Sequence, residues 1–218
     1  MKVLTVPSSG SLAGQTASKN RFGQYLRTRA IPVNPATSAQ GVVRARLSAN
    51  SAAWRGLTSA QRAGWSGLAS SMVRTDALGQ PNAIQGNQAY ISVNNVRVSC
   101  GLTPVADAPA LSTPVSLLTV TPTVTAASFS IAYTATPLAA ATYLLLFASP
   151  QRSAGRSYES DFRLIKVSTA AQATPLVALT EYTAKFGVPI VGSKIFLSLV
   201  TVTLGFESGP FLTSVSVA

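Results

Sequence analysis

Apolar positions change their spacing near residue 100, and that change predicts two kinds of architecture in one chain. In the first part the spacing is helical. Trp65, Leu68, Ala69 and Met72 recur at i, i+3, i+4 and i+7, one face of a helix. Thr58 followed by Gln61 in "LTSAQRAGW" is a capping box that marks where this helix begins. Upstream, Val43, Leu47 and Trp54 fall at helical spacing with Val42 beside them, and Gly56 ends the run. Asn34 suits the cap and Pro35 the first helical position of that element. A third helix is predicted over about 86–99, with Tyr90, Val93 and Arg97 on one side, Ile91 and Val98 on another, and Gly101 as its stop. Three short helices over 34–101 form a small head that buries the two tryptophans.

Residues 1–33 carry little apolar material. "GQTASKNRFGQYLRTRAI" predicts two short extended segments around "KNRFG", since Asn20 and Gly23 are good turn residues. On the second segment Tyr25, Arg27, Arg29 and Ile31 share one strand face, and Gln24, Leu26, Thr28 and Ala30 share the other. A two-stranded ribbon is barely stable by itself, so this arm has to lie on something.

"GLTPVADAPALSTPVS" holds three prolines in sixteen residues and marks a linker at 102–113. Beyond it the pattern turns to period two or to continuous β-branched runs. Strands are predicted at 115–120, 128–134, 142–148, 161–167, 181–186, 194–203 and 211–217. Seven short strands separated by Pro, Gly and Ser turns over 114–218 make a β-sandwich. The expected class is therefore multidomain α+β: a ribbon arm, a three-helix head and an all-β sandwich.

Composition adds a partner. Hydrophobic residues make up 47% of the 218 residues and charged residues 11%, so most of the chain should pack. The formal charge of +11 is unevenly spread. Residues 1–100 hold eleven Lys and Arg against one acid, Asp76, a balance of +10; the remainder holds six against five. The first half therefore faces an acidic partner, either nucleic acid or an acidic protein surface. The longest strongly apolar run, Leu138 to Ala148, is eleven residues, whereas a membrane-spanning helix needs about twenty. The apolar core near the N-terminus is too short for a signal peptide. No membrane is expected, and synthesis in a reducing cytoplasm fits the single Cys100.

Catalytic chemistry finds little footing. Histidine is absent, which removes the Ser-His-Asp, Cys-His and His-metal arrangements. Cys100 has no nameable base and suits a packed position. Glu159 and Asp161 alternate on a possible strand; two carboxylates can bind calcium or act as acid and base, or they can partner Arg156 and Arg163. "SAGRSYES" lacks the ending of a phosphate-binding loop. No enzyme, no cofactor and no metal are expected.

Two resemblances refine the picture. Residues 114–217 resemble a fibronectin type III or Ig-like module in "SFSIAYTA", "ATYLLLFASP", "DFRLIKV", "TEYTAKFG" and "GSKIFLSLVTV". Tyr182 sits where such modules often place a buried tyrosine before a strand; the usual strand-B tryptophan is absent, with Tyr133 nearby. Residues 14–100 resemble a pattern met in phage and prophage proteins. It runs "SKNRFGQYLRTRAIPVNPATSAQGVVRARL", then "LTSAQRAGW", then "NAIQGNQAYISVNNVR". That resemblance implies a structural protein of the virion, made in the bacterial host cytoplasm, and brings no catalytic residues.

The candidate interface is the basic arm and head: Lys19, Arg21, Phe22, Tyr25, Arg27, Arg29, Arg44 and Arg46. Arginine and tyrosine are favoured at protein interfaces, so the arm is read as a strap onto capsid, neck or tail subunits, in a symmetric assembly of many copies. The same residues suit phosphate contact and base stacking, which keeps nucleic-acid binding open. A carbohydrate-binding adhesin is the third reading and requires exposed aromatics in a row on the sandwich.

Overall fold

The computed structural model describes residues 9–21, 23–31, 33–75, 80–134 and 136–218. They divide into two compact units, Met1–Val42 and Val43–Ala218. The first unit is a meander of β1 (Gly10–Leu12), β2 (Gln15–Asn20) and β3 (Gly23–Thr28), antiparallel and in that order. The two expected segments are present, in the register Thr16↔Arg27 and Ser18↔Tyr25, and β1 adds a third strand. Gly23 takes a φ of 112° at the tight turn, where a side chain would be strained. Among the described residues 9–42 none is buried, so the described residues of this sheet form no core of their own.

Helix α1 (Ser38–Arg55) starts four residues after the expected cap at Asn34. Asn34 instead accepts the Ala36 N–H at 3.2 Å, and Ala36 adopts a positive φ of 48°. A residue in that conformation cannot continue a right-handed helix. Thr37 and Gln40 then exchange hydrogen bonds, at 3.3 and 3.2 Å, as the true capping pair. Helix α2 (Ser59–Ser71) begins at the predicted Thr58–Gln61 capping box. The short hairpin β4 (Val73–Thr75) and β5 (Pro81–Ala83) leads to α3 (Gly86–Ser99), which has its expected bounds.

Trp65 is fully buried, its ring edge-on to Tyr90 at 5.2 Å, and Trp54 of α1 is half-buried against Tyr90 at 5.5 Å. The helices do not close a core alone: Phe206, from the β part, sits in the same cluster as Trp65, Leu68, Ala89, Tyr90 and Val93. Gly205 beside it approaches α3 so closely that a Cβ would meet Val93 Cγ1 at 2.7 Å. Val43 and Leu47, expected on the packed stripe of α1, are exposed.

Residues 102–113 form no helix or strand, as expected, yet they are fastened to the helices. Trp65 Nε1 donates to the Ala106 carbonyl at 2.7 Å, Asn94 bonds both backbone groups of Val105 at 3.1 and 2.8 Å, and Arg97 Nε donates to the Thr103 carbonyl at 3.0 Å.

The C-terminal part is two antiparallel sheets over one core. In the first, β6 (Thr119–Thr125), β7 (Ser128–Thr134) and β10 (Leu176–Val177) run in the order β10-β7-β6. In the second, β8 (Thr142–Ala148) lies between β9 (Arg163–Val167) and β11 (Lys194–Thr203). The far edge of β11 pairs with β12 (Phe206–Glu207) and β13 (Phe211–Ser216). Phe129 and Ile131 from one sheet meet Leu144, Leu146, Ile195 and Leu197 from the other. The segment predicted as a strand at 181–186 is helix α4 (Leu179–Phe186) instead. Its apolar residues Leu179, Tyr182 and Phe186 are spaced three and four apart, a helical rhythm too short to separate from a strand by pattern. The strand expected at 115–120 begins only at Thr119. Among the described residues no helix is long and apolar enough to cross a membrane.

Candidate assembly interface

Strand alternation sorts the arm into two chemically different faces. Cross-strand partners point the same way, so Thr16, Ser18, Tyr25 and Arg27 share one face, and Gln15, Ala17, Lys19, Gln24, Leu26 and Thr28 share the other. Arg29 follows the strand and donates its N–H to the Gly14 carbonyl at 2.8 Å, which carries the first face onward. Arg27 and Arg29 are exposed and Tyr25 is half-buried. The second face is hollow, a concavity of about 790 Å³ lined by small residues such as Gly10, Ala13 and Ala17, with Leu26 among them.

The structure thus brings Tyr25, Arg27 and Arg29 together as expected. Lys19 lies on the opposite face, and Arg21 occupies the turn. Phe22 lies outside the described residues. Arg44 and Arg46 belong to the second unit. Arg44 is exposed on α1, whereas Arg46 is half-buried and donates to Ser99 Oγ on α3 at 3.1 Å, a tie within the chain. The first acidic residue in the chain is Asp76, so the arm and α1 contain no carboxylate side chain to neutralise these cations.

Two carboxylates of the β part, Glu159 and Asp161, are engaged with arginines, and a third, Glu181, pairs with Lys166 at 2.6 Å. Glu159 is buried, ion-paired with Arg152 and 3.5 Å from Arg156, and it accepts the N–H groups of Ser160 and Asp161 at 2.9 and 3.0 Å. The Asp161 N–H, acting against burial, together with Arg152 and the Ser160 N–H holds its carboxyl down at about 2. Asp161 pairs with Arg163 at 3.3 Å. Both carboxylates are therefore tied to arginines around the loop at 152–163. Among the described residues no cluster of three or more metal-ligating side chains occurs. Burial first, then the charge of Glu207, pushes the Cys100 thiol up to about 11 against the opposing Arg97. At neutral pH it is therefore a thiol rather than the nucleophilic thiolate.

Tyr182 is fully buried between Phe129 and Phe186, at ring distances of 5.1 and 5.2 Å, and its hydroxyl donates to the Ser149 carbonyl at 3.2 Å. It bolts α4 across the end of both sheets and serves the core. Set beside known families, characterised proteins and solved structures, the chain matches no family model, no characterised protein and no solved structure.

Proposed function

We propose that this chain is a non-enzymatic structural component of a phage-like particle, docked through its N-terminal arm onto capsid, neck or tail subunits. One observation carries the reading: a three-stranded sheet none of whose described residues is buried. A sheet of this size without a core gains its stability from a surface laid against it. Its two faces suit such a surface, small residues and Leu26 for close packing on one, Tyr25, Arg27 and Arg29 for acidic groups on the other. The outer edges of β1 and β3 offer strand addition as well. The order of the phage-like motifs along residues 14–100 supplies the kind of particle.

The β part fits the fibronectin type III-like half of the reading. Its first, second and fifth strands pair in one sheet, and its third, fourth, sixth, seventh and eighth in the other. In this reading the module is an addition carried on the particle exterior.

The test is to tag the chain and purify particles from cells that make it. The expected result is co-sedimentation of many copies per particle, lost when residues 1–33 are deleted. Absence from particles overturns the proposal. So does stoichiometric DNA binding by the full chain that weakens steeply with salt, which favours the nucleic-acid reading carried by the exposed Arg27 and Arg29. A glycan platform has less to stand on: Tyr158 is the one large aromatic exposed among the described residues of the β part.

A further inference from the structure

Helix α1 is longer than the surface α3 gives it to pack on. Val43, Leu47, Asn50 and Trp54 recur at intervals of four, three and four, which aligns them on one helix face. The C-terminal half of that face is covered by α3. Trp54 packs against Tyr90 at 5.5 Å, the buried Asn50 donates to Asn95 Oδ1 at 2.7 Å, and Arg46 donates to Ser99 Oγ at 3.1 Å. As the α1 position falls from 54 to 46, the α3 position rises from 90 to 99, so the two helices run antiparallel. Arg46 therefore stands at the last residue of α3. There Gly101, at a φ of 76°, turns the chain, and Thr103, Val105 and Ala106 bond back onto Arg97, Asn94 and Trp65. Val43 lies about one turn further along α1, past the end of α3, and is 64% exposed; Leu47 on the same face is 48% exposed.

Aliphatic side chains scattered singly over a surface need no explanation. These two instead continue a packed seam beyond the point where α3 can cover it. Charge indicates what does. Helix α1 carries Arg44, Arg46 and Arg55 and no acid, so a matching surface is acidic. A second copy of this chain is a poor match. The chain has a formal charge of +11 and six acids, and three of them, Glu159, Asp161 and Glu181, are already ion-paired within it. A two-fold contact of α1 with α1 would also bring arginines against arginines.

We infer that the N-terminal half of α1 is a second docking element: Val43 and Leu47 enter an apolar groove on a different protein of the particle, and carboxylates on the rim of that groove face the cationic helix. The helix is already anchored by α3, so insertion orders little that is not ordered beforehand. The inference rests on the docking role proposed above, and adds to it a contact separate from the arm and the chemistry of the surface that receives it.

The test adds the purified full chain to particles from cells that do not make it, and reads bound copies by co-sedimentation across a concentration series. Val43→Asp and Leu47→Asp are each expected to weaken binding about tenfold, from the lost burial of one aliphatic side chain. Ala45→Asp makes the same change of charge on the opposite, exposed face of the same turns, and is expected to bind within about twofold of wild type. Circular dichroism and unfolding midpoints should agree among the three variants; Val43→Ser and Leu47→Ser replace the aspartates if they do not. A photoreactive phenylalanine analogue in place of Val43 is expected to crosslink to another particle protein, at a segment that contains Asp or Glu. Binding by Val43→Asp and Leu47→Asp equal to wild type overturns the inference and leaves the arm as the docking element. An equal loss in Ala45→Asp overturns it too, because charge alone would then explain the loss. So does a crosslink to a second copy of this chain, to nucleic acid or to lipid, or no crosslink at all. Failure of the wild type itself to bind particles overturns both this inference and the docking role.

Discussion

At the scale of single residues, the depressed carboxyl of Glu159 has a testable consequence. Its folded-state value of about 2 lies well below the ordinary carboxylate value near ~4.3. A depressed acid contributes stability above its unfolded value, and that contribution disappears as pH falls through the folded one. Stability should therefore decline between about pH 4.3 and about pH 2. Glu159→Gln is expected to be less stable at neutral pH and to show a flatter profile across that window, measured as denaturant midpoints in a pH series. Equal slopes for the two proteins would remove Glu159 from the account. The sequence alone left two roles open for Glu159 and Asp161, because spacing shows that carboxylates are close and not what they touch. The partner that decides the matter, Arg152, is seven residues away across a loop.

At the scale of elements, the contact between helices and sheets hinges on Gly205. It has a φ of 95°, and a Cβ there would meet Val93 and Arg97 side-chain atoms and the Val93 carbonyl at 2.7 to 2.9 Å. Gly205→Ala is expected to cost about 2 kcal/mol or more from overpacking and a strained backbone, read as a lower unfolding midpoint. An unchanged midpoint would mean the turn can move away from α3 freely. Capping chemistry made α2 and α3 readable from sequence, since Thr58–Gln61 and Gly101 act through groups within a few residues. The start of α1 was misread because Asn34 has two local uses, cap and turn, and the turn at Ala36 takes it. Helix α4 was missed for a similar reason: eight residues are too few for period alone to outvote the β-like setting around them.

At the scale of the whole molecule, arm and remainder are separable in their energetics. No described residue between 9 and 42 is buried, so removing residues 1–33 removes no buried residue among those described. The truncated chain is expected to unfold cooperatively within about 2 °C of the full-length midpoint, by calorimetry. A drop of more than about 4 °C, worth roughly 1 kcal/mol or more in a domain of this size, would show that the arm contributes to the core fold. The candidate interface was legible as composition: cations and aromatics interleaved, with no acid before Asp76. Its division was not legible, because the opposite facing of Lys19 and the tie of Arg46 to Ser99 depend on register and on a helix fifty residues further along.

The sequence by itself determined the local features: the capped helices, the ribbon with its glycine turn, the alternating strands and the uneven charge. Each follows from interactions among near neighbours or from a simple count. Only the tertiary structure decided that Phe206 completes the helical core and that the proline-rich stretch is fastened down. Those outcomes join residues far apart in the chain, and apolar burial favours contact without specifying in the pattern which distant surface will provide it.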